Sequence, residues 1–495
     1  MAERIVVIGA GIAGLCTALA LSPSEREVVL VEKDGAPPQE SPDQAFFDWN
    51  RRGVGHLRHS HAFLARLRTI IKDRHPALLA QLLAAGCREI GFADMLPQNL
   101  KADYRPEVGD ADMAVLTSRR TTLEWVMRTY VEQLANVAIV NSATVRGLIL
   151  EPAGEGQLRV AGLTGDADGE AREWRGDVVI DAGGKNSQAV EQLIEAGAAV
   201  GEECEDCGIL YYTRHYRLLP GLDEPPRSKA PGTGDLGFIK YGLFPGDNRC
   251  FSITLAVPEV EMELRQNVVR PELFDRICAL LPGIAPWTDP ARSEPISKVF
   301  GMGDLKSRWR SLVSADQRAT LGFFAVGDSL IRTNPLYGRG CSFAAIEATL
   351  LAQVLDETAD PAARARLYDL RVKAELTPYF DNMRDQDRAA IKRARNALDP
   401  NYAPSLRAKM LTSFVDDGVR IAVRTDVDLL RLALRDFHMM EPPGAWLKRP
   451  GNLAKVLGVW AKGKRRNADL YPPSAGPGRG EMMRTLGLTG QAVPG

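Results

Sequence analysis

The first apolar block of the chain is a short run, Ile5 to Ile8, followed at once by Gly9, Gly11 and Gly14. An apolar run of this length bounded by turn residues reads as a buried parallel strand. Residues 12–21 then read as a helix, and Glu27 to Glu32 as a second buried strand through Val28, Val29, Leu30 and Val31. The polar stretch 34–43 contains prolines and is a loop. Phe63, Leu64, Leu67, Ile70 and Ile71 recur at helical spacing and predict a helix from about residue 62, with a second at 77–85 stopped by Gly86. A strand at 113–117 leads to a helix through Trp125, Val126, Val131 and Leu134, with Thr117 or Ser118 as its cap. Strands at 137–140, 145–150 and 158–163 with polar turns between them predict a meander. The segment 174–187 predicts another buried strand that ends in a Gly-rich turn after Asp181.

From Gly208 the pattern changes to longer alternating strands, 209–218, 237–244 and 250–256, which predict an antiparallel sheet rich in aromatics. Helices at 260–266 and 271–281 and a strand at 296–300 follow. The buried strand 322–326 returns the chain to the first sheet and leads into Gly327 to Gly340 and an Ala-rich helix to about 355. Residues 361–470 are helical and highly charged. Within them, 452–466 is apolar with a basic end, the pattern either of a helix docked on its own protein or of one lying on a membrane surface. The Gly- and Pro-rich end, 471–495, predicts a mobile tail.

These patterns predict an α/β fold: a Rossmann-like dinucleotide-binding domain (1–85, 112–200 and 305–360) interleaved with an antiparallel-sheet substrate domain (86–111 and 201–304), plus C-terminal helices (361–470). A chain of 495 residues is too long for one core, which agrees with several domains. The 62 basic and 63 acidic residues nearly cancel, leaving no electrostatic footprint for nucleic acid. Seven cysteines are few and odd in number, which argues against a disulfide framework. Only Cys204 and Cys207 form a CxxC pair, with no second pair to complete a metal site. No long apolar run spans a membrane, and the expected location is cytoplasmic.

The candidate chemistry begins at the glycines. Gly9 permits a tight turn, Gly11 lets the backbone approach a pyrophosphate, and Gly14 lets the helix pack on the sheet. Glu32 closes the second strand at the spacing of an acid that binds ribose hydroxyls. A second GxGxxG match, 232–237, precedes a strand and opens no helix, so it is not a nucleotide site and no separate nicotinamide domain is visible. His56, His59 and His61 are half of the six histidines. They read as a polar loop facing the site or as a solvated helix start, and no carboxylate or thiol completes a metal set. Arg119 and Arg120 at a helix start oppose its dipole, which suits a nearby anion such as phosphate.

Three separated segments resemble one family, the single-domain flavin monooxygenases built like para-hydroxybenzoate hydroxylase, and within it the squalene- and polyether-type epoxidases. Gly9, Gly11 and Gly14 with Glu32 match its FAD fingerprint; Gly327-Asp328, Asn334-Pro335 and Gly338-Arg339-Gly340 match its second FAD motif. Residues 181–188 sit where the family carries its middle motif, here without the usual arginine. Arg120-x-x-Leu123-Glu124 and His59-x-His61 are similar to the epoxidase branch, and the likeness spans about residues 1–360.

The resemblance implies FAD held by Gly9, Gly11, Gly14, Glu32, Lys33, Arg120, Gly327, Asp328, Pro335, Gly338, Arg339 and Gly340. Asp328 would meet the ribityl hydroxyls and Arg120 the ribityl–phosphate region, while the helix opening after 335–340 would face the N1–C2 edge of the flavin ring. His59, His61 and Arg339 are the candidates beside the reacting atoms; Tyr212, Arg214, Tyr216 and Tyr241 are candidates for the substrate wall. The implied reaction transfers one atom of O2, through a flavin C4a-hydroperoxide, to an apolar or aromatic small molecule, as hydroxylation or epoxidation. Electrons would come from NAD(P)H or from a partner flavin reductase. The alternatives are a flavin reductase or dehydrogenase of a polyprenyl-type substrate, a flavin halogenase, whose Trp-x-Trp-x-x-Pro segment is absent here, and a flavin protein without oxygenase activity. Membrane contact, if made, is expected through 452–466.

Overall fold

A computed structural model describes residues 2–154, 157–314 and 320–489. The chain opens with β1 (Arg4–Ile8), α1 (Ile12–Leu21) and β2 (Glu27–Val31), then passes through α2 (Arg120–Val131) into β3 (Val137–Val140) and later β4 (Val178–Asp181). A second, antiparallel sheet is centred on β5 (Ile209–Leu218), β6 (Lys240–Pro245) and β7 (Cys250–Pro258). The chain returns with β8 (Phe323–Ala325) and α3 (Gly340–Glu357) before the helices α4 (Pro361–Leu398), α5 (Leu406–Ser413), α6 (Val427–Phe437), α7 (Pro450–Arg466) and α8 (Arg479–Leu486).

The first sheet is parallel, in the order β8-β4-β1-β2-β3. Its strands are apolar on both faces because both are covered. Ile5, Val7, Val28 and Leu30 pack with α1, α2 and α3, while Val6, Val29 and Val179 pack against the antiparallel strands Ala143–Pro152, Leu158–Ala167 and Glu170–Arg175. The meander therefore exists, but Val137–Val140 is not part of it: it pairs in parallel with β2, Val28 opposite Val137. Its apolar run fits either sheet, and only the crossover through α2 decides.

Other local expectations shift for equally local reasons. Ala62–Phe63 is a strand paired with Leu116 and Thr117, and the helix begins at Ala65 because Leu64 is still extended. Neither Thr117 nor Ser118 caps α2; Arg119 holds that position without a side-chain cap. The strand expected at 296–300 is instead two short ones, Ser293–Pro295 and Phe300–Met302, both on β5. In the second GxGxxG match, Thr233–Asp235 is a strand on β6, with no helix. Cys204 lies exposed on the strand Gly201–Asp206, Cys207 is buried beyond it, and both are free.

The tail is ordered to residue 489. Met482, Met483 and Leu486 of α8 are buried against the second core, and Arg479 pairs with Glu261 at 2.8 Å. Residues 490–495 lie outside the described residues. In α7, Val456 and Val459 pack among Ala422, Leu429 and Trp446, while Trp460 donates to Ser413 Oγ and meets Phe414 edge-on. Part of the apolar side of 452–466 is thus spent on its own protein, while Leu457 stays exposed. Among the described residues no helix is long and apolar enough to cross a membrane.

Candidate flavin and substrate cavity

A single cavity of about 1170 Å³ runs between the two sheets. That exceeds the roughly 300–1,000 Å³ of a pocket for one small ligand, so there is room for a large cofactor and a second molecule. One end is built where β1 meets α1. Gly9 has φ +90°, and a Cβ there would come within 2.9 Å of the Ala182 carbonyl. A Cβ on Gly14 would lie 2.0 Å from the Gly9 carbonyl, so only glycine lets α1 approach the strand. Gly11 faces the cavity, and no side chain caps α1, so its first-turn N–H groups point to where an anion would sit.

Glu32 is buried at the end of β2 and accepts from Ala10 N (2.7 Å) and Asp34 N (2.9 Å). Arg51, which sequence reasoning missed, reaches Glu32 (3.1 Å), Asp34 (3.2 Å) and Glu124 (2.7 Å) from a fully buried position. Glu124 also accepts from Arg120 Nε at 3.3 Å. Arg120 and the exposed Lys33 line the cavity. The two arginines at the start of α2 separate in role. Arg119 turns away and binds the buried carboxylate of Asp247 through Nη2 at 2.6 Å, so its anion belongs to the protein.

The middle of the cavity is framed by Gly183, Gly184 and Lys185 on one side and Gly327 and Asp328 on the other. Asp181 ties the two together: its Oδ1 accepts from Gly183 N (2.9 Å) and Ser329 Oγ (3.1 Å). Asp328 is the informative residue. Its carboxylate lines the cavity wall, accepts no hydrogen bond from the described protein, and has its pKa raised by desolvation against the nearby charges of Arg332, Arg120 and Arg308. Partly buried and open to the cavity, this carboxylate has no donor from the described protein, and hydroxyl donors from a ligand would satisfy it. Beside it, Asn334 Oδ1 accepts from Leu336 N at 3.0 Å, shaping the turn Pro335–Tyr337. Gly338 (φ +64°) then admits the start of α3, which carries no side-chain cap and faces the cavity through Gly340 and Cys341. Both expected glycine cradles and the unpartnered Asp328 fit a flavin dinucleotide lying along this groove.

The far end is walled by one face of the second sheet. Tyr211, Thr213 and His215 of β5 lie opposite Ala256, Thr254 and Ser252 of β7, which in turn face Lys240, Gly242 and Phe244 of β6. Tyr212, Arg214 and Tyr216 therefore point the other way, correcting their assignment to the substrate wall: Tyr212 donates to the Arg265 carbonyl, and Arg214 and Tyr216 both bind Asp275. Successive strand residues alternate faces, and both faces here mix aromatic and polar residues, so the pattern gave no parity. Tyr241 shares that far face; it touches the cavity margin, but its ring belongs to the second core and its hydroxyl donates to the Ala475 carbonyl at 2.9 Å. Arg339 is also corrected. Its guanidinium is buried against Tyr379 of α4, donates to that residue's carbonyl at 2.9 Å, and does not line the cavity.

The histidines do face it. His61 donates Nδ1–H to the His59 carbonyl (2.8 Å), which leaves Nε2 as acceptor for Arg120 Nη1 at 3.3 Å. Burial and the Arg120 charge push His61 and His56 well below the ordinary histidine value. His59 is pulled down to about 4 by burial. Its Nδ1 meets Thr213 Oγ1 at 3.0 Å, and a hydroxyl chain continues through Thr254 (2.7 Å), Ser60 (2.8 Å) and Ser252 (2.7 Å). These histidines are neutral at neutral pH, and with the hydroxyls they make this part of the wall rich in groups that can both donate and accept. Among the described residues no group of three or more His, Cys, Asp or Glu side chains is arranged to hold a metal ion.

Comparison with known proteins agrees with this geometry. Residues 4–46 match the family model described as FAD dependent oxidoreductase. The chain is 28% identical over 377 residues to Protein Rv3254 of Mycobacterium tuberculosis, covering 71% of this chain and 73% of that one. Its fold is similar to that of the flavin-dependent brominase Bmp2 (18% identity, TM-score 0.58, 94% of this chain and 100% of the other). It is also similar to p-nitrophenol 4-monooxygenase PnpA from Pseudomonas putida (15% identity, TM-score 0.59, 89% and 98%). The fold is that of flavin monooxygenases and halogenases, mixed α/β with C-terminal helices, and the N-terminal match supports an FAD-dependent oxidoreductase enzyme.

Proposed function

We propose that the protein is an FAD-dependent monooxygenase that inserts one atom of O2 into an apolar or aromatic small molecule, by hydroxylation or epoxidation. The observation that carries the reading is the continuity of the cavity: a dinucleotide cradle at one end opens, at the 334–340 loop, directly onto the face made by Tyr211, Thr213 and Phe244. FAD, when bound, supplies the redox chemistry, with electrons drawn from transient NAD(P)H or a partner flavin reductase. The chain's own contribution is binding, orientation and exclusion of water. Asp328 accepts from ligand hydroxyls, Arg120 holds negative charge near Gly11, and the uncapped start of α3 favours negative charge beside Gly338. Tyr211, Phe244 and Leu336 keep the far end dry, which oxygen transfer needs more than it needs an acid–base triad. His59 and the hydroxyl chain orient a polar group of the substrate. The likeness to an epoxidase branch supports no finer choice of reaction.

Lys240 favours one alternative, a halogenase, because it lies on the cavity face of β6. It is already paired with Asp235 at 2.9 Å, which ranks this reading second. The test is single turnover of photoreduced holoprotein under 18O2, with phenols and prenyl alkenes, with and without bromide. Product carrying one labelled oxygen is expected. Brominated product, or reduced product without label, would replace the reading.

A further inference from the structure

Several strongly exposed apolar side chains of the C-terminal region lie on α5 and beside it. Leu406, Met410 and Leu411 are 75%, 53% and 63% exposed, and no residue of α5 is buried. Val415 in the following turn and Phe437 at the end of α6 are 39% and 50% exposed. Isolated surface leucines need no explanation, but an exposed helix whose leucines and methionine cover nothing of their own protein marks an interaction surface. The patch adjoins the mouth of the cavity, since Val415, Arg420 and Phe437 also line it.

Charge says what covers it. Residues 391–424 carry seven lysines and arginines against three aspartates, in a chain whose net charge is −1. Two of those aspartates are engaged: Asp416 with Arg420 at 2.9 Å, and the buried Asp417 with Ser413 and Tyr471. Arg407 and Lys409, on α5 itself, have no ion-pair partner among the described residues. A second copy of the chain is a poor occupant: an isologous contact would set these cations against their own copies. Leucines and a methionine flanked by unpaired cations on one exposed helix match the boundary of an anionic bilayer, where side chains enter the acyl region and cations meet lipid phosphates.

We infer that α5 docks the protein on an anionic lipid surface and holds the cavity mouth against it. The segment expected to make membrane contact, 452–466, meets the end of α5 through Trp460 and Ser413. Delivery of an apolar substrate straight from the bilayer rests on the reading of the cavity given above; the docking itself does not.

The experiment is cosedimentation of the full-length, FAD-loaded protein with phosphatidylcholine vesicles and with vesicles containing phosphatidylglycerol. Binding to the anionic vesicles is expected, weakening as salt screens the cations. A Met410→Glu/Leu411→Glu variant, exposed enough to leave flavin content and melting temperature unchanged, should bind about tenfold more weakly or worse. Absence of wild-type binding to either vesicle, or equal binding by the variant, overturns the inference. So does a wild-type dimer dissociated by the same pair of substitutions without vesicle binding, which would assign the patch to a second copy. Binding is read without turnover, so a chain that docks yet incorporates no oxygen refutes only the proposed reaction.

Discussion

The hydroxyl of Tyr211 donates to Asn334 Oδ1 at 2.7 Å, joining the antiparallel sheet to the loop that opens α3. Asp387 on α4 completes the joint: its Oδ1 accepts from Asn334 Nδ2 and from the Tyr337 hydroxyl, both at 2.8 Å. The C-terminal helix thus sets the position of the loop that the proposed function puts against the flavin ring. Asp387→Ala should leave two buried donors unpaired and cost about 1–3 kcal/mol. FAD should remain bound through the distant glycine cradle, while turnover falls and the bound-flavin spectrum shifts. Asp387→Asn keeps an acceptor at the same place and should recover most of both. Thermal melting and the absorption spectrum of the two variants check this, and equal defects in both would remove Asp387 from the positioning of the loop.

Asp328 makes opposite demands on the empty and loaded protein. Burial raises its pKa above the ordinary aspartate value of 3.8, so the folded state binds the proton more tightly than the unfolded chain does. Its charge therefore costs stability as pH rises through the window above 3.8, and the cost persists at neutral pH. Asp328→Ala should make the flavin-free protein more stable at pH 7 and yet release FAD during purification. Retention of stoichiometric flavin would contradict the assignment.

Some of this site was legible in the chain because its demands are local. Gly9, Gly14 and Gly338 are fixed by positive φ or by backbone approach, and each leaves a mark in its own few residues. The far wall of the cavity was not legible, because Tyr211 and Tyr212 are the same residue type on opposite faces and only the docking of β5 chooses between them. Arg339 sits within a legible motif, but its side chain follows the Tyr379 carbonyl of a helix much later in sequence. The same holds for Arg51, whose three carboxylate partners come from the loop after β2 and from α2, and for α8, whose methionines are meaningful only against the helix Pro271–Ala279.

The pair Arg119–Asp247 is structural. Asp247 is fully buried and accepts from Arg119 N, Nε and Nη2 and from Thr122 Oγ1. Burial alone would raise its pKa, and these donors more than offset that, holding it below 3.8. Its contribution is therefore present above 3.8 and lost as pH falls through the lower folded value. Asp247→Ala should destabilise by about 3–5 kcal/mol, because Arg119 stays buried with only Asp43 beside it. Denaturant unfolding at pH 7 measures this, and a change below about 1 kcal/mol would show the pair to be dispensable.

His438, at the end of α6, carries the clearest pH signature. It is buried, neither ring nitrogen has a hydrogen-bond partner, and burial lowers its pKa to about 4. The unfolded chain therefore takes up a proton near the ordinary value of 6.5 that the folded chain refuses until about 4. Stability must rise with pH across that window: at pH 5 the imidazole costs about 2 kcal/mol, and at pH 7.5 almost nothing. His438→Leu should thus stabilise the protein at pH 5 by roughly that amount. At pH 7.5 the gain should be smaller and should reflect only the two unpaired ring nitrogens. His59 and His215, lowered to about 4 and about 3, act in the same direction and keep the wild-type slope steep after this one substitution. Melting temperatures of wild type and variant across pH 5 to 7.5 decide it. A constant difference over that range would mean that His438 titrates normally and finds water in the fold.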